Sequence, residues 1–544
     1  MVKMTEESSG KRKALKKRVL VFTFDSSYHI ETYDRISRYM ENENFEFIFL
    51  TSNPSSKMEL YRRGQEAYSL TELIGYLQYL PKINIDDRSA RKMYGYDYKV
   101  KNLFDFPAEA RWKIKTVSES YYHWVSELFY TAMREFFNIV APSVVFTWNT
   151  CTLQSGVISK IAAEERVPVF YLERGLLPYR AVIDPDGVNY GSHIAGDKWR
   201  QLEVPYPDEK EIELADRFCC FLQEREATIV PSGWRKSETD IRLESDIPPD
   251  ASVLFFPLQI EKDSNILNYS PFYKTMPEII LDLAKIVEKN ENLYVIIKPH
   301  PEDQGRFEHL KNLCSSKMFI SNDYNLDSLF KLTDVVVVVN STVGLEALTR
   351  GKQVVVLGKA IYGEKGFTFD LDHPEKLEET IFQALEAANK RIFNEKGFKR
   401  FLVYLLKNCL FSLVEEDPFE SRANIISKIN SRINGQHVES RSGSELLENL
   451  SQNREEIENF FQRIEAGEIG VKDVLLIKPY AKTPKYMSRL LKGEVQVIDR
   501  KNLLTRLPKV LIKKYEYIIC FGMLTRRVRL LMRITRANKK IYLV

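Results

Sequence analysis

Asp334 is followed by five consecutive valines, Val335 to Val339, and then by Asn340-Ser-Thr-Val-Gly344. Few folds accommodate such a stretch. Five β-branched residues in a row fit a strand better than a helix, where their χ1 freedom is restricted. A continuous apolar run also leaves no polar face for a strand that is solvated on one side. What remains is a short parallel strand covered by helices on both faces. The pattern recurs at Ser252-Val-Leu-Phe-Phe-Pro257, Leu293-Tyr-Val-Ile-Ile297, Met318-Phe-Ile320 and Gln353-Val-Val-Val-Leu357, with helical segments in the gaps. Upstream it occurs at Arg18-Val-Leu-Val-Phe-Thr-Phe24, Phe45-Glu-Phe-Ile-Phe-Leu50, Ser143-Val-Val-Phe-Thr-Trp148 and Val167-Pro-Val-Phe-Tyr-Leu172. Helices are expected over 108–137 and 153–165. This rhythm of strand and helix predicts an α/β chain with two doubly wound, Rossmann-like domains facing a cleft.

The expected boundaries follow the composition. Residues 1–17 read as a basic leader without the apolar core of a secretory signal. The first domain spans 18–205 and the second 206–433, the latter closed by helices from Pro374 onward. A linker and helix occupy 434–470, and a small basic α/β domain occupies 471–544. That last stretch holds 19 Lys and Arg against 4 Asp and Glu, a net charge of +15 in a chain whose total is only +4. Such asymmetry points to an anionic membrane surface or an acidic chain as partner. Nucleic acid is not expected, since no recognition motif or pattern of stacking aromatics accompanies the basic helices. No apolar run approaches the ~20 residues of a membrane span. The six cysteines include no CxxC pair and the seven histidines show no ligand spacing. A disulfide framework and a metal site are therefore not expected, and the expected compartment is the cytoplasm.

Four strand exits carry polar residues suited to chemistry. After the valine strand, Asn340, Ser341 and Thr342 precede a helix whose first turn can receive a phosphate. Gly344 permits close backbone approach there, and Glu346 sits one turn inside to meet ribose hydroxyls. Lys298-Pro-His300-Pro places a cation and an imidazole between prolines that restrain the backbone. After the strand ending at Pro257 come Gln259, Asp263 and Ser264; here Asp263 reads equally as a nucleophile, a base or a helix cap. In the first domain, Glu173, Arg174 and Gly175 follow a strand, and Asp184, Asn189 and Ser192 fall among turn formers. Glu173 and Asp263 would face one cleft from opposite domains, an arrangement suited to glycosyl chemistry.

Together these segments resemble the capsule polysaccharide biosynthesis family that includes the retaining β-Kdo transferases. The matching pieces are Glu173-Arg-Gly-Leu-Leu-Pro178 with Asp184-Pro-Asp-Gly-Val-Asn189, Gln259-Ile-Glu-Lys-Asp-Ser264, Lys298-Pro-His-Pro301, Asn340-Ser-Thr-Val-Gly-Leu-Glu-Ala-Leu348, and Gly358 with Tyr362-Gly-Glu-Lys-Gly-Phe-Thr368. The resemblance implies a GT-B-like glycosyltransferase; with the basic 471–544 stretch, the expected place of action is the cytoplasm, with peripheral contact at the inner face of the membrane. It would move a CMP-activated ulosonic acid such as Kdo to a glycan or glycolipid acceptor. By motif position, Asp263 would be the nucleophile and Glu173 would orient or deprotonate the acceptor. Lys298 and His300 would hold the donor, and Ser341, Thr342 and Glu346 would hold CMP. No metal cofactor is expected. The other readings are a UDP-sugar or CDP-polyol transferase on the same fold and a non-catalytic glycan-binding or export partner.

Overall fold

The computed structural model describes residues 16–23, 27–51, 54–70, 73, 119–149, 152–229, 238–261, 263–300, 308–322, 324–433, 474–478, 496–499, 515–520 and 537–542. The expected helix over 445–466 and those near 486 and 504 lie outside these residues, as does the segment 1–15.

The first sheet is built from β1 (Lys17–Thr23), β2 (Phe45–Thr51), β3 (Glu66–Ser69), β4 (Val144–Trp148), β5 (Val169–Arg174) and β6 (Arg180–Asp184). The second contains β7 (Ser252–Pro257), β8 (Leu293–Lys298), β9 (Met318–Ile320), β10 (Val335–Val338), β11 (Gln353–Val356) and β12 (Phe369–Asp370). A further short strand is β13 (Leu410–Ser412), and β14 (Val474–Lys478), β15 (Gln496–Asp499), β16 (Tyr515–Cys520) and β17 (Ala537–Tyr542) follow.

The second sheet runs β12-β11-β10-β7-β8-β9 and every pair in it is parallel. The order reverses between β7 and β10, which is the topological switch point of a doubly wound sheet. The valine strand shows why its pattern is so restrictive. Val336 and Val338 pack into the cluster that also holds Phe255, Ile296 and Leu345. Val335, Val337 and Val339 pack on the other side with Phe256, Ile279 and Ile381. All five are fully buried, so neither face of the strand can be polar.

The first sheet runs β3-β2-β1-β4-β5-β6-β13. Its first five strands pair in parallel, whereas β6 is antiparallel to both β5 and β13. Its switch point lies between β1 and β4. The placement of β13 corrects the expected boundary at 433. The chain leaves the second unit after helix Glu395–Asn408 and returns to the first sheet, where Leu410 pairs with Val182. Helix Ser421–Ile433 then buries Ile425, Ile429 and Ile433 against the first core. A buried Arg180 anchors this return by donating to the Leu410 carbonyl and pairing with Asp417 at 3.8 Å. The closing segment therefore belongs to both units. Strands β14 to β17 form a third, wholly parallel sheet in the order β15-β14-β16-β17. Among the described residues, no helix is long and apolar enough to cross a membrane.

Candidate functional site

The two strands flanking the second switch point are joined by side chains at their carboxyl ends. Gln259, beyond β7, donates from Nε2 to Asn340 Oδ1 at 2.9 Å, and its Oε1 accepts from the Asn340 backbone N–H at 3.1 Å. Asn340 Nδ2 also donates to the carbonyls of Asn265 and Tyr269, at 3.0 and 3.4 Å. Two amides thus tie β7, β10 and helix Ser264–Tyr269 into one rim.

Asp263 caps that helix, its carboxylate accepting from the Asn265 N–H at 2.8 Å, and the side chain is exposed toward the cleft. Capping leaves room for a second role, since one oxygen suffices for the cap. Ser264 is buried and donates weakly to Asp263 at 3.4 Å. His300 reaches the cleft wall, but Lys298 does not. Lys298 Nζ instead donates to the carbonyls of Asn322 and Tyr324, at 3.1 and 2.7 Å, so it ties two strand exits together.

Ser341 caps helix Thr342–Leu348 through the Val343 N–H, and both Ser341 and Thr342 line the cleft. Gly344 is not approached by open space. A Cβ there would lie 2.2 Å from the hydroxyl of Tyr362, whose ring occupies the place expected for a ligand. That hydroxyl donates to the Ser341 carbonyl at 2.5 Å. Glu346 is half-buried and is not on the cleft wall, one turn too far along the helix.

In the first unit, Glu173 stands at the end of β5, beside the switch point. Its carboxylate accepts from Trp148 Nε1 at 3.1 Å, Asn149 Nδ2 at 3.3 Å and the Arg174 N–H at 2.8 Å. Burial raises its pKa above the usual carboxylate range. These donors oppose the rise, while the negative charge of Asp263 adds to it. The two carboxylates therefore sense one another across the cleft. Arg174 lies over the Tyr28 ring, 4.5 Å from its centroid, and reaches the cleft wall with Asn189. The His29 ring packs on Trp148 at 4.0 Å, and burial together with Arg174 lowers its pKa to about 4. Gly175 has a structural reason: a Cβ would lie 1.9 Å from the Arg180 carbonyl oxygen in the turn from β5 to β6.

Asp184 and Ser192 do not face the cleft. Both are fully buried, and Asp184 accepts from Ser192 Oγ at 2.5 Å and from the backbone N–H groups of Asp186 and Gly187. Its Oδ2 lies 2.6 Å from His193 Nδ1, and His193 Nε2 lies 3.0 Å from Lys428 Nζ. Burial opposes ionisation of Asp184, yet these donors hold its pKa below the usual range. The turn-former cluster folds around a buried carboxylate and a returning helix, which spacing alone does not disclose.

The result is a cavity of about 240 Å³ between the two units. Its wall combines Arg174 and Asn189 from the first with Gln259, Asp263, Asn265, His300, Asn340, Ser341, Thr342 and Lys359 from the second. Asn265 and Lys359 carry no sequence signal of their own. Lys359 is found only because the exit of β11 folds against that of β10. Among the described residues, no group of three or more His, Cys, Asp or Glu is placed to hold a metal ion.

Residues 227–396 match the family model described as capsule polysaccharide biosynthesis protein. The resemblance seen in the loops therefore holds over the second unit. The Escherichia coli capsule polysaccharide export protein KpsS is 28% identical over 160 residues, 27% of this chain and 38% of its own. The Neisseria meningitidis capsule polysaccharide modification protein LipA is 34% identical over 128 residues, 22% of this chain and 18% of its own. The chain thus spans less than two fifths of the length of these relatives. Among solved structures, the β-Kdo 2,7 transferase KpsC of Thermosulfurimonas dismutans is 25% identical, covering 44% of this chain and 75% of its own, with a TM-score of 0.31. The matched residues 227–396 contain the whole second-unit side of the cavity, from Gln259 to Tyr362.

Proposed function

We propose that this protein is a glycosyltransferase of capsule-type polysaccharide synthesis that binds a nucleotide sugar between its two doubly wound units. The observation that carries the reading is the cavity at the second switch point, where the Gln259–Asn340 pair meets Asp263 and faces Arg174, with Glu173 off the wall but close enough to feel the charge of Asp263. Open α/β sheets bind ligands at such a crevice, beyond the carboxyl ends of their strands. The family match at 227–396 and the names of the relatives point to capsule chemistry.

The donor proposed is a CMP-activated ulosonic acid such as Kdo. Asp263 would attack the anomeric carbon as the bond to the phosphate oxygen breaks, and CMP would leave. An acceptor hydroxyl would then attack the glycosyl ester, restoring Asp263 and giving net retention. Glu173 would take the acceptor proton, a task suited to a carboxylate whose basicity is increased by burial. His300, Ser341, Thr342 and Asn340 would hold the nucleotide. No metal is needed in this scheme, because hydrogen-bond donors and cations meet the leaving phosphate. The protein would act in the cytoplasm, at the inner membrane face, with its basic 471–544 segment against anionic lipid.

Melting curves with CMP, CDP, UDP, GDP and ADP, with and without magnesium, test the donor, because a ligand of the folded state raises the melting temperature. A shift with CMP alone, independent of magnesium, supports the CMP-linked donor; a shift with UDP or CDP replaces it with the UDP-sugar or CDP-polyol reading. Asp263→Asn is expected to bind nucleotide normally and to lose transfer by at least about 10³-fold, the scale of a missing nucleophile. Transfer at the normal rate removes the nucleophile role. The KpsS name, an export protein, motivates a second reading as a non-catalytic partner, which predicts nucleotide binding without turnover.

A further inference from the structure

Lys359 is placed by backbone geometry. Gly358 N–H donates to the Val339 carbonyl at 2.9 Å and Lys359 N–H to the Tyr269 carbonyl at 2.7 Å. A Cβ on Gly358 would lie 2.8 Å from that same Tyr269 oxygen, so only glycine lets the exit of β11 lie this close to the switch point. The ammonium group emerges on the cavity wall with 42% of its side chain exposed.

Its present partner is Glu364, which stands behind it and is not on the cavity wall. Glu364 has other support: the Tyr190 hydroxyl donates to its second oxygen at 2.6 Å, and the charge of Lys365 acts on it as well. If Lys359 turned away, Glu364 would keep these. The ammonium also lies over the Tyr190 ring, 5.6 Å from its centroid, a weak contact that an oxyanion readily replaces. Across the cavity stands Arg174, so the lining holds two basic side chains, Arg174 and Lys359, against one carboxylate, Asp263. That balance favours an anionic ligand.

We propose that Lys359 is a specificity-determining residue that exchanges Glu364 for an anionic oxygen group of the donor, either its phosphate or its sugar carboxylate. This rests on the nucleotide-sugar reading above. Glu364 then acts as an internal competitor that keeps the ammonium oriented while the cavity is empty.

Calorimetric titration of the full chain with cytidine, CMP and CMP-Kdo tests it; if uridine nucleotides are preferred, uridine, UMP and UDP-glucuronate replace them. Lys359→Met is expected to weaken one step of the series by about tenfold, the worth of a charge-assisted hydrogen bond. A loss that appears with CMP but not cytidine assigns the phosphate; a loss that appears only with CMP-Kdo assigns the carboxylate. Glu364→Gln is expected to tighten the same ligand by about threefold, whereas a merely structural pair would weaken every ligand in both variants. Lys359→Arg should restore most of the affinity, and Lys359→Gln replaces the Met variant if that one melts early. Unchanged affinities in Lys359→Met, equal losses for all three ligands, or weaker binding in Glu364→Gln would each overturn the exchange. A wild-type protein that binds no nucleotide ends the nucleotide reading and this inference together, whereas binding insensitive to Lys359 ends the inference alone.

Discussion

Asn340→Ala cuts the knot that holds the cavity rim. The side chain makes three hydrogen bonds: it accepts from Gln259 Nε2 at 2.9 Å and donates to the carbonyls of Asn265 and Tyr269 at 3.0 and 3.4 Å. At ~1 kcal/mol for each of the two shorter bonds, and little for the longest, the loss is about 2 kcal/mol. The site is half-buried, so water reaches some of the released groups, and the Tyr269 carbonyl still accepts from Lys359 N–H. Asn340→Asp is expected to be worse, about 3 kcal/mol, because it turns an N–H donor into an oxygen facing two carbonyl oxygens. At roughly 2–4 °C per kcal/mol for a unit of this size, Asn340→Ala should lower the second unit's melting temperature by about 4–8 °C. Differential scanning calorimetry of the full chain reads this directly. A drop under about 1 °C, or an Asp variant more stable than the Ala variant, would refute the hydrogen-bonded tie between β7 and β10.

Glu173→Gln should remove a pH dependence. The pKa of Glu173 is raised on folding, so the native state holds its proton longer than the unfolded one, and the stability linked to it is lost as pH rises through the folded pKa. The stability of wild type relative to the Gln variant should therefore fall from acidic to neutral pH in melts across that range; a flat or rising difference contradicts the burial of this carboxylate. Asp184→Ala strands His193 and several N–H donors in a sealed site, and urea unfolding should show a loss of about 3–5 kcal/mol; a loss below about 1 kcal/mol would deny the buried network. Gly344→Ala must displace the Tyr362 ring, so it should destabilise by about 1–3 kcal/mol and weaken nucleotide binding, as melting with and without ligand would show; neutral behaviour would place Tyr362 elsewhere.

The architecture was open to reading because its signals are local. A strand buried on both faces needs apolar residues at every position, and Val335 to Val339 supply them to two separate clusters. Turn formers and polar residues at the strand exits marked Gln259, Asp263, His300, Asn340 and Ser341, all of which line the cavity. By contrast, the three residues of β13 sit within a largely helical stretch, and only pairing with β6 makes them a strand. Lys298 and His300 stand two residues apart in one motif, yet one reaches loop carbonyls and the other the cleft. Asp184 looked like an open turn carboxylate, but the returning helix brings Lys428 to His193 and helps close the site around it.

Residue pattern alone determined that this chain would fold into successive sheets built mainly of parallel strands, since continuous β-branched runs cannot satisfy any solvated face; the antiparallel β6 and β13 were not legible in it. It also determined which strand exits would carry polar groups, because polarity there is a property of single residues. Tertiary structure alone decided which of those groups share a cavity. Side-chain direction depends on register, on what a neighbouring loop leaves unfilled, and on contacts between residues far apart in the chain. Gln259 and Asn340 meet only because β7 and β10 are neighbours at the switch point, and Arg174 and Lys359 line one cavity only because the two units face each other.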